Sequence, residues 1–170
     1  MRYLLTSFLL LVAICSFSQQ AKSIRAASSS PSDNKRIYLE VLGSGGLGSI
    51  NYEWIFKEKG ITRWALRPSI SYAPVDVNNG SVFIFPLMVH AIIGKNGHYG
   101  DVGFGQSPSI TTRGSFFLRT PLSFGYRLEP EGKRLFYRVS YTPIVSNIFE
   151  FQWQHWGGAS IGYRFNTAKN

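Results

Sequence analysis

The chain carries a single cysteine, Cys15, among its 170 residues, and that cysteine falls in an N-terminal apolar leader. Past the leader there is accordingly no thiol for a disulfide, a metal thiolate or a nucleophile. Acids are scarce too, with nine Asp and Glu against eighteen Lys and Arg, for a formal charge of +9. Such a balance suggests nucleic acid in a cytosolic protein. Here, however, no Lys/Arg cluster is longer than a pair, and the leader marks export. No stretch approaches 18 consecutive apolar residues, which excludes a membrane-crossing helix. The three histidines, His90, His98 and His155, lack metal-ligand spacing. The glycines from Gly43 to Gly48 precede strand-like sequence rather than a helix, so they do not form a phosphate-cradling loop.

The leader reads as a secretory signal over residues 1–18. One positive charge, Arg2, precedes the apolar run Leu4 to Ile14, and Ser16-Phe17-Ser18 supplies small residues for cleavage. That run is shorter than the ~20 residues a spanning helix needs. Acylation of Cys15 is the rival reading, disfavoured by the bulk of Ile14 before it. Residues 19–35 are small, polar and aperiodic, a flexible lead-in. Residues 36–165 form the one expected domain, with 166–170 as a tail.

Within that domain the dominant signal is alternation. Successive strand side chains point to opposite faces, so a period of two marks sheets with one apolar and one polar face. Turn signals predict strands near 36–43, 47–57, 62–73, 81–93, 98–106, 115–128, 134–143 and 156–165. Lys57 to Gly60, Gly94 to Gly97 and Glu129 to Lys133 read as tight charged turns. Pro74 to Gly80, Ser107 to Gly114 and Ile144 to His155 read as longer loops. Gly43 to Gly46 reads either as a short turn or as a bend within one strand, and an even strand count favours the turn. Pro68, Pro86, Pro121 and Pro143 fall within or at the end of strands, where each removes a ladder donor and calls for a bulge or a local break.

The apolar set runs Ile37, Leu39, Val41; Ile50, Tyr52, Trp54, Phe56; Trp64, Leu66, Ile70, Tyr72; Phe83, Phe85, Leu87, Val89; Val102, Phe104; Leu118, Leu122, Phe124, Tyr126; Tyr137, Val139, Tyr141; and Ala159, Ile161, Tyr163, Phe165. It contains no charge. The opposite set holds Glu40, Glu53, Arg63, Arg67, His90, Asp101, Arg119, Arg127, Arg138 and Arg164. An eight-stranded lumen cannot hold so many rings, so the aromatic face is expected outside, toward lipid. Two interfacial belts follow. Trp54, Trp64, Tyr126, Tyr137, Tyr163 and Phe165 lie near the turn end, and Tyr72, Phe83, Trp153 and Trp156 near the loop end. The expected fold is all-β, an eight-stranded antiparallel up-and-down barrel crossing an outer membrane. A soluble lipocalin-type barrel is the architectural rival.

The final strand, Ala159-Ser160-Ile161-Gly162-Tyr163-Arg164-Phe165, resembles the C-terminal insertion signal of the small outer-membrane β-barrel proteins of Gram-negative bacteria, in the OmpA-like and OmpX-like size class. In that family the aromatic residue is usually terminal, whereas here Asn166 to Asn170 follow. The segment Gly45 to Glu53 is similar to the opening of a poorly characterised group of such barrels. The resemblance implies a monomer in the outer membrane, in contact with lipid or lipopolysaccharide and inserted by the barrel-assembly machinery through the last strand. It also raises a lipid A-modifying enzyme as an alternative.

Six inward arginines (Arg63, Arg67, Arg119, Arg127, Arg138 and Arg164) against three acids (Glu40, Glu53 and Asp101) predict a plug of ion pairs. Their surplus of positive charge opens a second reading, a narrow anion-preferring pore or an anion drawn to the lumen mouth. A serine hydrolase requires Ser, His and an acid within hydrogen-bond reach, and no His–Ser spacing here provides it on one strand face. The expected role is therefore structural, adhesive or envelope-maintaining, without catalytic residues, metal or cofactor.

Overall fold

Hairpin turns set the chain reversals. At Asn96-Gly97 both central residues have positive φ, 56° and 82°, the type I′ geometry whose twist matches that of paired strands. Residues 34–76, 80–146 and 152–165 are described in the structure, a computed structural model. The expected signal sequence 1–18, residues 19–33 of the lead-in and the tail 166–170 lie outside the described residues.

The elements are β1 (Lys35–Val41), β2 (Gly48–Lys59), β3 (Thr62–Asp76), β4 (Gly80–Ile84), β5 (Leu87–Lys95), β6 (His98–Thr111), β7 (Phe116–Leu128), β8 (Leu135–Ser146) and β9 (Gln152–Phe165). Every pairing is antiparallel between neighbours, and β1 also pairs with β9 in the register Val41↔Ala159 to Lys35↔Phe165, which closes the ring. β4 and β5 both lie between β3 and β6, so they are two halves of one stave. The ring is an eight-stranded antiparallel barrel.

The predicted single strand 81–93 is therefore split, and Pro86 is the cause. It has no N–H to donate at the break. Its carbonyl accepts from Ser69 N at 2.8 Å, and Phe85 N donates to Pro108 O at 2.9 Å, which holds both halves in the wall. The other three prolines expected within or at the end of strands, Pro68, Pro121 and Pro143, coincide with gaps in the ladders. Between β2 and β3 the pairing skips from Asn51↔Ser69 to Trp54↔Leu66, beside Pro68. Between β7 and β8 it skips from Pro121↔Ile144 to Phe124↔Tyr141.

The strands on the loop side run further than their sequence signals suggest. β3 reaches Asp76, β6 reaches Thr111, and β8 and β9 stay paired up to Ser146↔Gln152. The expected long loops are thus mostly raised wall. Residues 77–79 and 147–151, within two of those loops, lie outside the described residues. The Gly43–Gly46 segment is a turn, closed by Leu42 N to Leu47 O at 3.0 Å, and not a bend. Residue 35 belongs to β1 rather than to the lead-in.

Alternation translates directly into inside and outside. β1 reads exposed, buried, exposed from Lys35 to Val41, and β2 continues the pattern through Phe56. Every residue of the apolar set is exposed or half-buried, including Phe104 at 62 % and Val139 at 57 %. Glu40, Glu53, Arg67, His90, Asp101, Arg127 and Arg138 are buried. Exposed lysines (Lys35, Lys57, Lys59 and Lys95) sit at the turn end of their strands.

Close packing inside relies on missing side chains in the opposite wall. His90 and Gly103 are direct partners across β5 and β6, and a Cβ at Gly103 would fall on the imidazole ring. Overpacking of this kind costs ~1–3 kcal/mol. Gly103→Val should lower the urea stability of the refolded barrel by that amount, and His90→Ala in the same chain should recover most of it. Equal losses in both backgrounds would refute the contact.

Candidate functional site

Among the described residues, ionisable groups concentrate in the lumen, which is layered. At the turn end Ile55, Ala65 and Ile92 form an apolar cluster with Tyr99 against it. Near the loop end Ala73, Val82 and Ile84 form another. Charged residues from β1, β2, β3, β6, β7, β8 and β9 join across the ring as a plug, anchored at the turn end by Glu129.

Glu53 is the hub. Arg127 grips it with both nitrogens, Nη1 to Oε1 at 2.7 Å and Nη2 to Oε2 at 2.8 Å. Arg67 donates to Oε2 at 2.7 Å and Arg36 to Oε1 at 3.1 Å. Asp101 is the second hub, accepting from Arg127 at 2.8 Å, Arg138 Nε at 3.0 Å, Arg67 at 3.1 Å and His90 Nδ1 at 2.5 Å. Glu40 takes Arg138 Nη1 at 2.9 Å and a hydroxyl donor from Ser44 at 3.2 Å. Glu129 lies just beyond β7, within salt-bridge distance of Arg36, Arg63, Arg127 and Arg164. Two inward rings, Tyr38 and Phe136, meet edge to face at 5.8 Å, with the Arg67 and Arg127 guanidiniums 5.2 and 5.0 Å from their centroids.

Of the nine residues expected in the network, eight join it: Glu40, Glu53, Arg63, Arg67, Asp101, Arg127, Arg138 and Arg164. Arg119 faces inward but stands apart from the plug, with no ion-pair or hydrogen-bond partner among the described residues. Arg36 and Glu129 were missed. Arg36, at the start of the predicted strand 36–43, shares the parity of Tyr38 and Glu40, and Glu129, one residue past the predicted strand 115–128, shares that of Arg127, so applying the alternation to the strand ends finds both.

Of the aromatics expected on the outer face, Trp54, Trp64, Tyr72, Phe83, Tyr126, Tyr137, Trp153 and Phe165 are exposed, and Tyr163 is half-buried on the same face. Trp156 is a correction. It shares the inward face of Gly158 and Ser160, stands in register with the buried Thr142, and lines a cavity with Arg119. The longer β9 carries the alternation past residue 156, and even-numbered residues there point inward.

His90 is fully buried against Asp101. His98 pairs with Tyr126, and His155 pairs with Tyr141, both on the exposed face. No protein-family model, curated protein or solved structure matches this chain.

Removing one partner of a buried ion pair leaves an uncompensated charge and costs ~3–5 kcal/mol. Glu53→Gln should lose about that much in urea unfolding of the refolded barrel, because three arginines then lack their acceptor. Arg119→Gln, which breaks no ion pair, should be near neutral.

Burial alone would push the Glu129 carboxyl up, but Arg36, Arg127 and Arg63 outweigh it and hold the group below its ordinary 4.5. Its stabilising contribution is therefore fully present above about pH 4.5 and is lost as pH falls through the depressed folded value. Glu129→Gln should lower stability at neutral pH and flatten the decline below pH 4.5. A variant whose acid profile parallels the native one would contradict this.

Proposed function

We propose that the chain is an integral outer-membrane barrel of a Gram-negative bacterium, a monomer with a structural, adhesive or envelope-maintenance role and no catalytic activity. The single observation that carries this reading is the inversion of the barrel: charge fills the inside while an uncharged, ring-rich surface encircles the outside of all eight staves. Soluble monomers seldom expose contiguous apolar patches above a few hundred Å². In hydrocarbon such a surface is favourable, and a closed ring leaves no strand edge whose backbone groups go unpaired. The described lysines, all at the turn end, and Trp54, Tyr126, Tyr137 and Phe165 at that height fit a headgroup region.

The non-enzymatic reading rests on how the ionisable groups are used. The buried carboxylates are engaged with arginines, and the one histidine beside an acid, His90, has no exposed surface. The cross-barrel pairs also obstruct the lumen, which weighs against the narrow anion-preferring pore. The lipid A-modifying alternative lacks an accessible His–Ser pair among the described residues.

Cell fractionation tests the membrane reading first. The protein should stay in the outer-membrane pellet and run as a heat-modifiable band on detergent gels. Release into osmotic-shock fluid would instead favour a soluble lipocalin-type barrel. Val139→Arg adds a quantitative check, because an arginine on a lipid-facing wall costs ~2–4 kcal/mol near the midplane. Bilayer folding should weaken by that amount, whereas a wall solvated by water would tolerate the change.

A further inference from the structure

The rim of the barrel is uneven, and the low side has a different character on its two faces. β1 and β2 stop at Val41 and Gly48, while β9 runs on past Ala159 to Gln152 and β3 past Ser71 to Asp76. The short turn that joins β1 to β2 tucks inward. Gly43, Ser44 and Gly45 are buried, and Ser71 Oγ donates to the carbonyls of Gly45 and Gly48. Leu42 and Leu47 stay exposed.

Inside this low rim lies a cavity of about 30 Å³, with Ser44, Gly46, Ser107, Arg119, Gln154 and Trp156 in its lining beside the apolar Ile84 and Ile144. That volume holds a few water-sized groups, the scale of one oxyanion. Arg119 reaches it from β7, on the far side of the ring from β2. Its guanidinium has no acid, and the Ser107 hydroxyl and Gln154 amide have no hydrogen-bond partner among the described residues. Thr142 Oγ1, in register with Trp156, is buried and likewise unpaired among the described residues. Ser44 is spent on Glu40, but Arg119, Ser107 and Gln154 keep their donors for the chamber, in contrast to the plug below, where arginines and carboxylates meet one another.

Outside the same rim lies an apolar groove of about 530 Å³, bounded by Leu39, Val41, Ile50, Ile70, Tyr72 and Phe83. Only the Gly43–Gly48 turn separates the two: Gly46 lines the chamber and Gly48 lines the groove. An apolar channel outside a cationic, donor-rich chamber matches one kind of molecule, an amphiphile with an acidic head.

We propose that this corner of the barrel binds an anionic membrane lipid whose headgroup phosphate has no compensating cation, its acyl chain in the groove and its phosphate reaching over the β1–β2 turn to Arg119. The guanidinium fork suits a phosphate, since two parallel N–H donors meet two oxygens. Ser107 and Gln154 supply further donors. The proposal deepens the membrane reading and rests on it for the source of the lipid.

The test uses the chain refolded in zwitterionic micelles and follows the indole N–H resonance of Trp156, assigned by its loss in W156F. Dihexanoyl phosphatidic acid is titrated, with dihexanoyl phosphatidylcholine and inorganic phosphate as separate arms. The native chain should bind the phosphatidic acid about tenfold or more tightly than Arg119→Gln, the worth of a charge-assisted hydrogen bond. Arg119→Lys, which keeps the charge and loses the fork, should fall between them and serves if the glutamine variant does not fold. Phosphatidylcholine should not distinguish the variants, and inorganic phosphate at equal concentration should leave the resonance in place. Equal phosphatidic acid affinity in all three chains would overturn the site. Inorganic phosphate binding as tightly as the lipid would overturn the lipid assignment. Failure of the membrane reading would appear elsewhere, as a water-soluble protein in the shock fluid, whatever the micelle titration gives.

Discussion

The bidentate grip of Arg127 on Glu53 ties β7 to β2 across the ring, and the rest of the interior is arranged around it. A narrow, dry tube cannot hold an isolated charge, because the loss of hydration far exceeds what a solitary side chain recovers. Each carboxylate in the plug is therefore met by arginine, and Glu53 and Asp101 are each met by more than one. A guanidinium suits this task better than an ammonium, since its fixed planar fork reaches two acids at once. Arg138 does this, touching Asp101 through Nε and Glu40 through Nη1. Shared partners also mean that no pair can be removed without disturbing the next, so the plug acts as one unit.

That interior has a consequence for the outer wall. With the lumen committed largely to charge and to the edge-to-face pair Tyr38 and Phe136, most of the remaining aromatic residues have nowhere else to go. They stand outside, where Trp54 and Phe56, Tyr72 and Phe83, and Tyr163 and Phe165 pack in pairs at centroid separations of 6.3, 5.2 and 5.5 Å. A soluble barrel would place these groups in its centre and its arginines in water. The reversed assignment is what lends weight to a bilayer as the surrounding solvent.

Much of this was readable before any coordinates. Because a strand has period two, a charge-free set from Ile37 to Phe165 assigns both faces at once, and the inward acids and arginines followed. The losses came where period two is interrupted or extended. Pro86 divides a stave that hydrophobicity alone presents as continuous. β9 begins at Gln152 instead of residue 156, so Trp156 was sorted by its aromatic character rather than its parity. Glu129 looked like an ordinary turn residue, and only the fold reveals that the turn end closes over the plug. Arg119 illustrates a different limit: sequence assigns its face correctly, but which arginine lacks a partner depends on which acids lie at its height.

The account depends most on what solvates the outer rings, and depth-resolved fluorescence quenching measures that directly. Single-tryptophan variants retaining Trp54, Trp64 or Trp153 would be folded into bilayers whose acyl chains carry bromine at defined depths. The account predicts strong quenching of all three, each at an interfacial depth. Emission unaffected by bromine and quenched instead by aqueous iodide would contradict it, for the outer wall would then face water.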